Sequence, residues 1–425
     1  MQHTSSQELT EHLFRNEYGK MVASLTRIFG MGQLALAEDI VQDTLLLALK
    51  QWGYNGPPPN PVAWLYTVAK NKAIDYLRRQ KNIRKITGDL GYLLDSAYTM
   101  EATMSHLFLA EEIKDNQLRM IFALCTPVLS KEAQIALILK TLCGFGNQEI
   151  AAAFLTNTEV INKRLYRAKE KLRQMDSLPA LPTGAALTKR LDTVLKSIYL
   201  LFNEGYNSST GKDGILSYDL CFEAMRLCLL LTENPATDMP QVWALLALMC
   251  FNASRFNSRV DGEGMIVLYA NQNRELWDEE LIKKGVDFLK ESSMTQNLSN
   301  YHIEAMIASY YCLSPSFEKT EWGEIYRLYE LLEKINPSPM VQLNKAIVLA
   351  HAGQPMQSIE LLLRLNELRN HHLYHAALAH IYHITGQKSL EEQHLISSAA
   401  LAKSPKERDL IANKLKTLRM HSSLQ

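Results

Sequence analysis

An all-α fold is predicted for this 425-residue chain, on three observations. Apolar residues recur at helical spacing along most of its length, and no convincing run alternates apolar with polar as a strand would. Proline and glycine gather at a few punctuation points. Near the C-terminus a segment repeats weakly: Asn344 to Gln354 matches Ala377 to Gln387, with two Gly-Gln pairs 33 residues apart.

Taken in order, a first helical block spans 7–85. Within it, Gly53 to Pro61 is expected to be non-helical, because its prolines lack backbone donors and its glycines are permissive. Residues 86–106 are weakly patterned and read as a linker. A smaller block covers 107–176, and the Pro- and Gly-containing stretch Ser177 to Gly184 marks a boundary. The rest divides into a helical domain over 185–318 and helical repeats over 319–420. Small residues in the first helix of each repeat, then Gly-Gln at the turn, suit a solenoid of the tetratricopeptide kind.

Composition excludes several classes. With 47% hydrophobic and 21% charged residues the chain is a folded globular protein, too long for one core. It contains no apolar run of bilayer length and no secretory leader pattern, so a cytoplasmic address without membrane contact is expected. Cys125, Cys143, Cys221, Cys228, Cys250 and Cys312 are dispersed, without metal-ligand or disulfide spacing, and read as buried thiols. Lys and Arg number 45 against 45 Asp and Glu, so any nucleic-acid footprint must lie in short basic segments.

Two such segments exist. Lys70 to Lys85 contains Lys70, Lys72, Arg78, Arg79, Lys81, Arg84 and Lys85 against Asp75 alone, enough for several phosphate contacts. Trp64, Tyr66 and Tyr76 are interleaved and could stack on unpaired bases. The second is Leu142 to Arg173. Cys143 to Gly146 ends one helix, Asn147 to Phe154 forms a short one, Leu155 to Asn157 turns, and Thr158 is the expected N-cap of the next. There Val160, Ile161, Leu165, Ala168 and Leu172 would face inward, leaving Asn162, Lys163, Arg164, Arg167, Lys169, Lys171 and Arg173 largely outward. This is the pattern of a helix-turn-helix whose second helix enters the major groove.

Here a resemblance appears. Ala37 to Thr44 resembles the polymerase-binding helix of sigma region two, and Pro61 to Arg79 resembles the −10-reading segment that follows it in extracytoplasmic-function sigma factors. Leu142 to Arg173 resembles their region four, which reads the −35 element. The resemblance implies a region-two domain over 7–85, a region-four helix-turn-helix over 107–176, and two partners, core RNA polymerase and promoter DNA. It assigns Asp39, Gln42 and Asp43 to the polymerase. It assigns Asn55, Asn60, Trp64, Asn71, Arg78 and Arg79 to the −10 element, and Thr158, Asn162, Lys163, Arg164 and Arg167 to the −35 element. The segment Tyr54 to Asn60 corresponds to the loop that captures an unstacked base. Asp75, repelled by phosphate, is expected in a salt bridge with Arg78 or Arg79.

The C-terminal half resembles a subgroup of these factors with a long helical extension. The likeness is carried by Ser197 to Tyr206, Leu245 to Met249, Arg259 to Gly262, Leu268 to Asp278 and Asn336 to Pro339, with Asn271 where the family usually has an acid. The extension is expected to modulate activity by masking sigma contacts or by binding a regulatory protein or ligand. No catalytic residue, cofactor or metal is expected. Asn203, Glu204, Tyr206, Arg259, Asp261 and Arg274 form a polar set, but no nucleophile–base pair stands out. His371, His372, His375, His380 and His383 read as a solvated surface with no carboxylate nearby. The rival readings are a helix-turn-helix operator-binding regulator and a DNA-binding module fused to a ligand-binding or enzymatic helical domain.

Overall fold

A computed structural model describes residues 6–79, 97–154, 156–175, 177–207, 215–262, 265–294, 297–402 and 405–422. Among these the fold is all-α, with one isolated bridge between Val260 and Ile266 and no strand. The chain forms two compact units, 1–237 and 238–425.

In the first unit, α1 (Ser6–Phe29) is the central element, packed by α2 (Leu34–Asn55), α3 (Pro61–Arg79), α5 (Ala110–Leu124) and α6 (Lys131–Thr141). Met21, Val22, Ala23, Leu25 and Ile28 are fully buried, each large side chain contributing roughly 2 kcal/mol of transfer free energy. So many inward residues leave α1 nearly encircled, and α1 meets Leu142 so closely that a Cβ on Gly19 would lie 2.0 Å from the Leu142 carbonyl oxygen. Glycine at position 19 is therefore a packing requirement.

Helix α2 continues through Gly53, Tyr54 and Asn55, contrary to expectation, because burying Trp52 in its last turn offsets the modest helical cost of Gly53. The break comes at Gly56, with φ +73°, and the non-helical segment is 56–60 only. Residues 97–106 of the expected linker, with Leu107, form α4 (Ala97–Leu107), which buries Met100, Met104 and Leu107 and packs on α3. The helix-turn-helix consists of α6, α7 (Asn147–Ala153) and α8 (Thr158–Leu172). Two further helices, α9 (Gly184–Asn207) and α10 (Ile215–Thr232), complete the unit by packing on α5, α6 and α7.

The second unit opens with the almost wholly buried α11 (Pro240–Ala253), flanked by α12 (Glu279–Ser292) and α13 (Asn300–Leu313). Successive neighbours then pack in pairs: α14 (Trp322–Ile335), α15 (Pro339–His351), α16 (Pro355–Leu363), α17 (His372–Ile384), α18 (Lys388–Leu401) and α19 (Pro405–Ser422). The repeat seen in sequence has a repeated turn. Gly353 (φ +88°) and Gly386 (φ +73°) follow α15 and α17. Gln354 N donates to the Leu349 carbonyl at 3.1 Å and Gln387 N to that of Tyr382 at 2.9 Å, a Schellman closure in each case.

Of the five histidines read as a solvated surface, His383 is exposed, whereas His371, His372, His375 and His380 are partly buried. His380 Nε2 lies 3.1 Å from His351 Nε2, His375 Nδ1 lies 2.9 Å from His394 Nδ1, and His383 Nδ1 meets the buried Glu391 at 3.0 Å. Among the described residues no group of three His, Cys, Asp or Glu could hold a metal. Burial, then the neighbouring His351, Lys414 and His383, holds the His380 imidazole down at about 4. An unfolded histidine binds its proton near pH 6.5, so the unfolded chain takes up protons first as pH falls. Stability is therefore full above about pH 6.5 and lost progressively toward pH 4, by at most ~1.4 kcal/mol per pH unit from this residue. The thermal midpoint of the full chain should fall between pH 7 and 5, and the fall should shrink in His380→Leu. Equal slopes in the two proteins would remove His380 as the cause.

Candidate nucleic-acid interface

The outward face of α2 carries Asp39, Gln42, Asp43, Leu46 and Leu49, all exposed, with spacings of three and four that place them on one stripe. Its inner face buries Ala37, Glu38, Ile40, Val41, Thr44, Ala48 and Trp52. Leu46 and Leu49 are more than half exposed, so this acidic face also offers apolar area. Sequence reasoning missed them, although the run Leu45 to Leu49 is too apolar all round to be buried on every side. Asp43 reaches Lys72 of α3 at 3.7 Å, which ties the acidic face to the basic helix.

The short turn between α2 and α3 is built from Gly56 and three prolines, with Asn55 and Asn60 exposed at its ends. Asn60 Oδ1 accepts from Ala63 N at 3.0 Å and so caps α3, whose first residue, Pro61, needs no partner for a donor. Tyr54, 92% exposed, is the free aromatic ring of this region.

The three rings expected to stack on bases instead pack within the protein. Trp64 is half-buried, 5.5 Å edge-on to Trp52, which in turn meets Phe14. The Tyr66 hydroxyl donates to Glu17 at 2.5 Å and its ring meets Phe108; burial pushes its pKa well up. Tyr76 lies edge-on to Phe29. Asn71, Arg78 and Arg79 are exposed on α3. Asp75 is exposed as well and pairs with neither arginine, so the expected salt bridge is absent. Lys81, Arg84 and Lys85 lie outside the described residues.

In the helix-turn-helix, Ser130 caps α6 by accepting from Ala133 N, and Glu149 accepts from Gly146 N at 2.6 Å to fix the start of α7. The recognition helix α8 is capped by Asn157, which accepts from Val160 N at 2.9 Å; Thr158 is its first helical residue, not its cap. Ile161, Leu165, Ala168 and Leu172 are buried, whereas Val160 is 40% exposed and Tyr166 is exposed too. Asn162, Lys163 and Arg167 face solvent. Asn162 Oδ1 accepts from Asn147 at 2.6 Å, and Lys163 pairs with Glu159 at 2.6 Å. The half-buried Arg164 places its guanidinium 5.0 Å above the Phe154 ring. Lys163, Arg164, Arg167 and Lys171 line a shallow groove of about 480 Å³, whose floor includes Leu129, Ala133 and Val160.

The modules are joined within the first unit. Glu38, buried on α2, pairs with Lys169 of α8, and Gly32 N donates to the Met175 carbonyl at 3.1 Å. Arg15 of α1 bridges Glu149 of α7 at 2.9 Å and Asp219 of α10 at 2.5 Å. Helix α9 contributes Ser197, whose hydroxyl donates to Gln134 of α6 at 2.8 Å, and Arg190, which donates to the Phe122 carbonyl of α5. Of the C-terminal polar set, Asn203, Glu204 and Tyr206 belong to the first unit and Arg259, Asp261 and Arg274 to the second. All six cysteines are buried and none is in a disulfide. No helix among the described residues is long and apolar enough to cross a membrane.

An acidic helix beside a basic one, followed by a helix-turn-helix with a basic groove, defines a helical protein with two charged modules. Residues 13–83 match the sigma-70 region 2 family, and residues 190–293 match a family of unknown function, DUF6596. The chain is 34% identical over 346 residues to an uncharacterized protein of Rhizobium meliloti, covering 81% of each. It is 28% identical over 170 residues to the RNA polymerase sigma factor CarQ of Myxococcus xanthus, covering 40% of this chain and 90% of that one. With the ECF RNA polymerase sigma factor EcfG of Rhodopseudomonas palustris it shares 30% identity over 142 residues, 33% of this chain and 71% of the relative. The chain belongs to the extracytoplasmic-function RNA polymerase sigma factors. Its role is in transcription initiation.

Proposed function

We propose that the chain recruits core RNA polymerase to promoters with a −10 and a −35 element and opens the −10 region. The observation that carries this reading is the stripe of Asp39, Gln42, Asp43, Leu46 and Leu49, a charged and apolar face left exposed inside the region that matches sigma region 2. A protein partner fits such a face, its acids choosing a basic partner helix and its leucines supplying burial. Tyr54, beside the rigid turn to Asn60, offers a face for one unstacked base, with Asn55 at the same turn. Asn71, Arg78 and Arg79 serve the −10 strand, while Trp64 and Asn60 position α3. Asn162, Lys163, Arg164 and Arg167 serve the −35 element, with Thr158 at the start of their helix. The address this implies is the cytoplasm.

The C-terminal extension modulates initiation, and its tetratricopeptide-like end binds a regulatory protein or ligand. The test is run-off transcription with core polymerase on genomic DNA, comparing the full chain with one ending at Thr237. A cut near Leu178 would strip Ser197 from Gln134, Arg190 from Phe122 and Asp219 from Arg15, and confuse loss of folding with loss of regulation. Defined starts from the full chain, with output changed at least a few-fold by the Thr237 truncation, are expected. Identical output from both would remove the regulatory role of 238–425, and no defined starts from either would remove the sigma reading.

A further inference from the structure

The segment from Leu268 to Asp278 runs between α11 and α12 of the second unit and is built to hold two side chains still. Asn273 Oδ1 accepts from Glu275 N at 3.0 Å and so starts the single turn Arg274–Leu276. Asp278 N donates to the Ser254 carbonyl at the end of α11 at 2.8 Å, and Asp278 Oδ1 caps α12 by accepting from Leu281 N. Arg274 and Trp277 are therefore fixed from both ends of the turn. The Arg274 guanidinium lies 4.4 Å from the centre of the Trp277 ring and 5.2 Å from that of Tyr269. Its Nη2 donates to the Tyr269 hydroxyl at 2.9 Å, and that hydroxyl donates to the Tyr311 carbonyl at 3.0 Å. Phe317 and Trp322 pack on Tyr269, with ring centres 5.7 and 6.5 Å away, so the group that orients Arg274 is itself held in place.

Two donors are left over. Arg274 Nη1 and Trp277 Nε1 are both buried and meet no acceptor among the described residues. Trp277 as a whole is 7% exposed. Leaving a buried donor unmet costs about as much as a lost hydrogen bond, and more where the donor is charged. Ring faces above and below the guanidinium offset part of its charge, but they lie off its plane and offer the in-plane N–H groups no lone pair. Arg274 also makes no ion pair among the described residues, its polar contact being the neutral Tyr269 hydroxyl. The two unmet donors sit on groups in van der Waals contact, within reach of one small acceptor.

We propose that Arg274 and Trp277 form a binding site for a carboxylate group of a ligand, one oxygen accepting from Arg274 Nη1 and the other from Trp277 Nε1. Two donors match the two oxygens of a carboxylate, whereas a phosphate would bury oxygens that nothing here meets. The negative charge supplies what the guanidinium lacks, which a neutral acceptor would not. Glu318 is the competitor within the chain. It is exposed, and its carboxyl is held below the usual range by the Ser316 hydroxyl and its own backbone N–H, with a smaller contribution from Arg274. The site precedes the repeats assigned above to a regulatory partner, and its test needs neither polymerase nor DNA. Its failure would thus leave both the sigma reading and that of the repeats untouched.

The experiment titrates the full chain with sodium acetate, against sodium chloride at equal ionic strength, and follows saturation transfer to the acetate methyl by NMR. Saturable binding in the millimolar range is expected, as suits so small a ligand. Trp277→Phe, which keeps a ring and removes the N–H, should weaken it about tenfold, the scale of one hydrogen bond to a charged group. Arg274→Lys, which keeps the charge and loses the fork, should act in the same direction. Glu318→Gln removes the competing charge and should tighten binding about twofold. A glycyl-glycyl-leucine peptide and its amide separate the sources. A free peptide that binds more tightly than acetate, with an inert amide, identifies a peptide end; acetate binding with both peptides inert identifies a small molecule. No saturable binding of acetate or free peptide, or binding that neither Arg274→Lys nor Trp277→Phe weakens, would overturn the site. Inorganic phosphate bound in place of acetate would overturn the carboxylate assignment. Should both buried variants fail to fold, an unchanged constant in Glu318→Gln would count against the site in their stead.

Discussion

Arg167→Ala should lower affinity for a −35 duplex by about 1–3 kcal/mol, roughly fivefold to 150-fold, with defined transcription starts lost and polymerase binding retained. The choice of Arg167 over its neighbours follows from how each cation of α8 is already engaged. Lys163 is paired with Glu159 one turn earlier, and Lys169 is committed to the buried Glu38. Arg164 lies over the Phe154 ring, so replacing it would disturb the packing of α7 on α8 together with any contact to DNA. Arg167 is exposed on the groove-lining face, and its donors are open to a guanine edge or a phosphate. A surface change of this kind moves folding stability by less than about 0.5 kcal/mol, so an unaltered thermal midpoint separates lost recognition from lost structure. Fluorescence anisotropy with labelled duplexes is the direct measurement. Unchanged affinity for the promoter duplex would mean that α8 does not read the −35 element.

The helical punctuation was legible because its causes are local. The Gly-Gln turns at 353 and 386 each depend on a few adjacent residues, and they appear where the sequence puts them. Errors came where two local choices were close in energy. Asn157 and Thr158 can both cap a helix, and Asn157 reaches Val160 N, which moves the boundary by one residue. Val160 fits the inward spacing too, but Ile161, Leu165, Ala168 and Leu172 already fill the inner stripe and leave it 40% exposed. Tyr66 and Tyr76 read as surface rings because no pattern along one helix reveals that Glu17, Phe108 and Phe29 await them on others. The same limit hides Arg15 and Asp219, 204 residues apart, and the imidazole pair of His351 and His380, 29 apart. Of the candidate site, the outward cations of α8 are readable from periodicity, and the acids of α2 only from the resemblance to sigma region two. Tyr54, Leu46 and Leu49 emerge only when burial is known.

Lys169→Met should destabilise the first unit by about 3 kcal/mol, the low end of the cost of leaving a buried charge unpaired. Glu38 is 4% exposed, and Lys169 supplies its one direct ion pair among the described residues. Methionine preserves the length and apolar stem of the lysine, so most of the loss comes from the stranded carboxylate and little from a cavity. The low end applies because Lys140 is close enough for Glu38 to influence its titration. Burial lowers the Lys140 pKa, the field of Glu38 raises it, and Lys169 lowers it again. With Lys169 gone, Lys140 can partly compensate Glu38. For a unit of 237 residues the loss corresponds to about 6–12 °C in the thermal midpoint. The second change, Glu38→Gln added to Lys169→Met, removes the buried charge itself and should recover part of that loss, as expected if the penalty is electrostatic. A single substitution that leaves the midpoint in place would show that α2 and α8 are not held together by this pair. A double variant no better than the single would assign the cost to packing instead. The sign of the double-variant result thus decides whether the two modules are joined by charge or by shape.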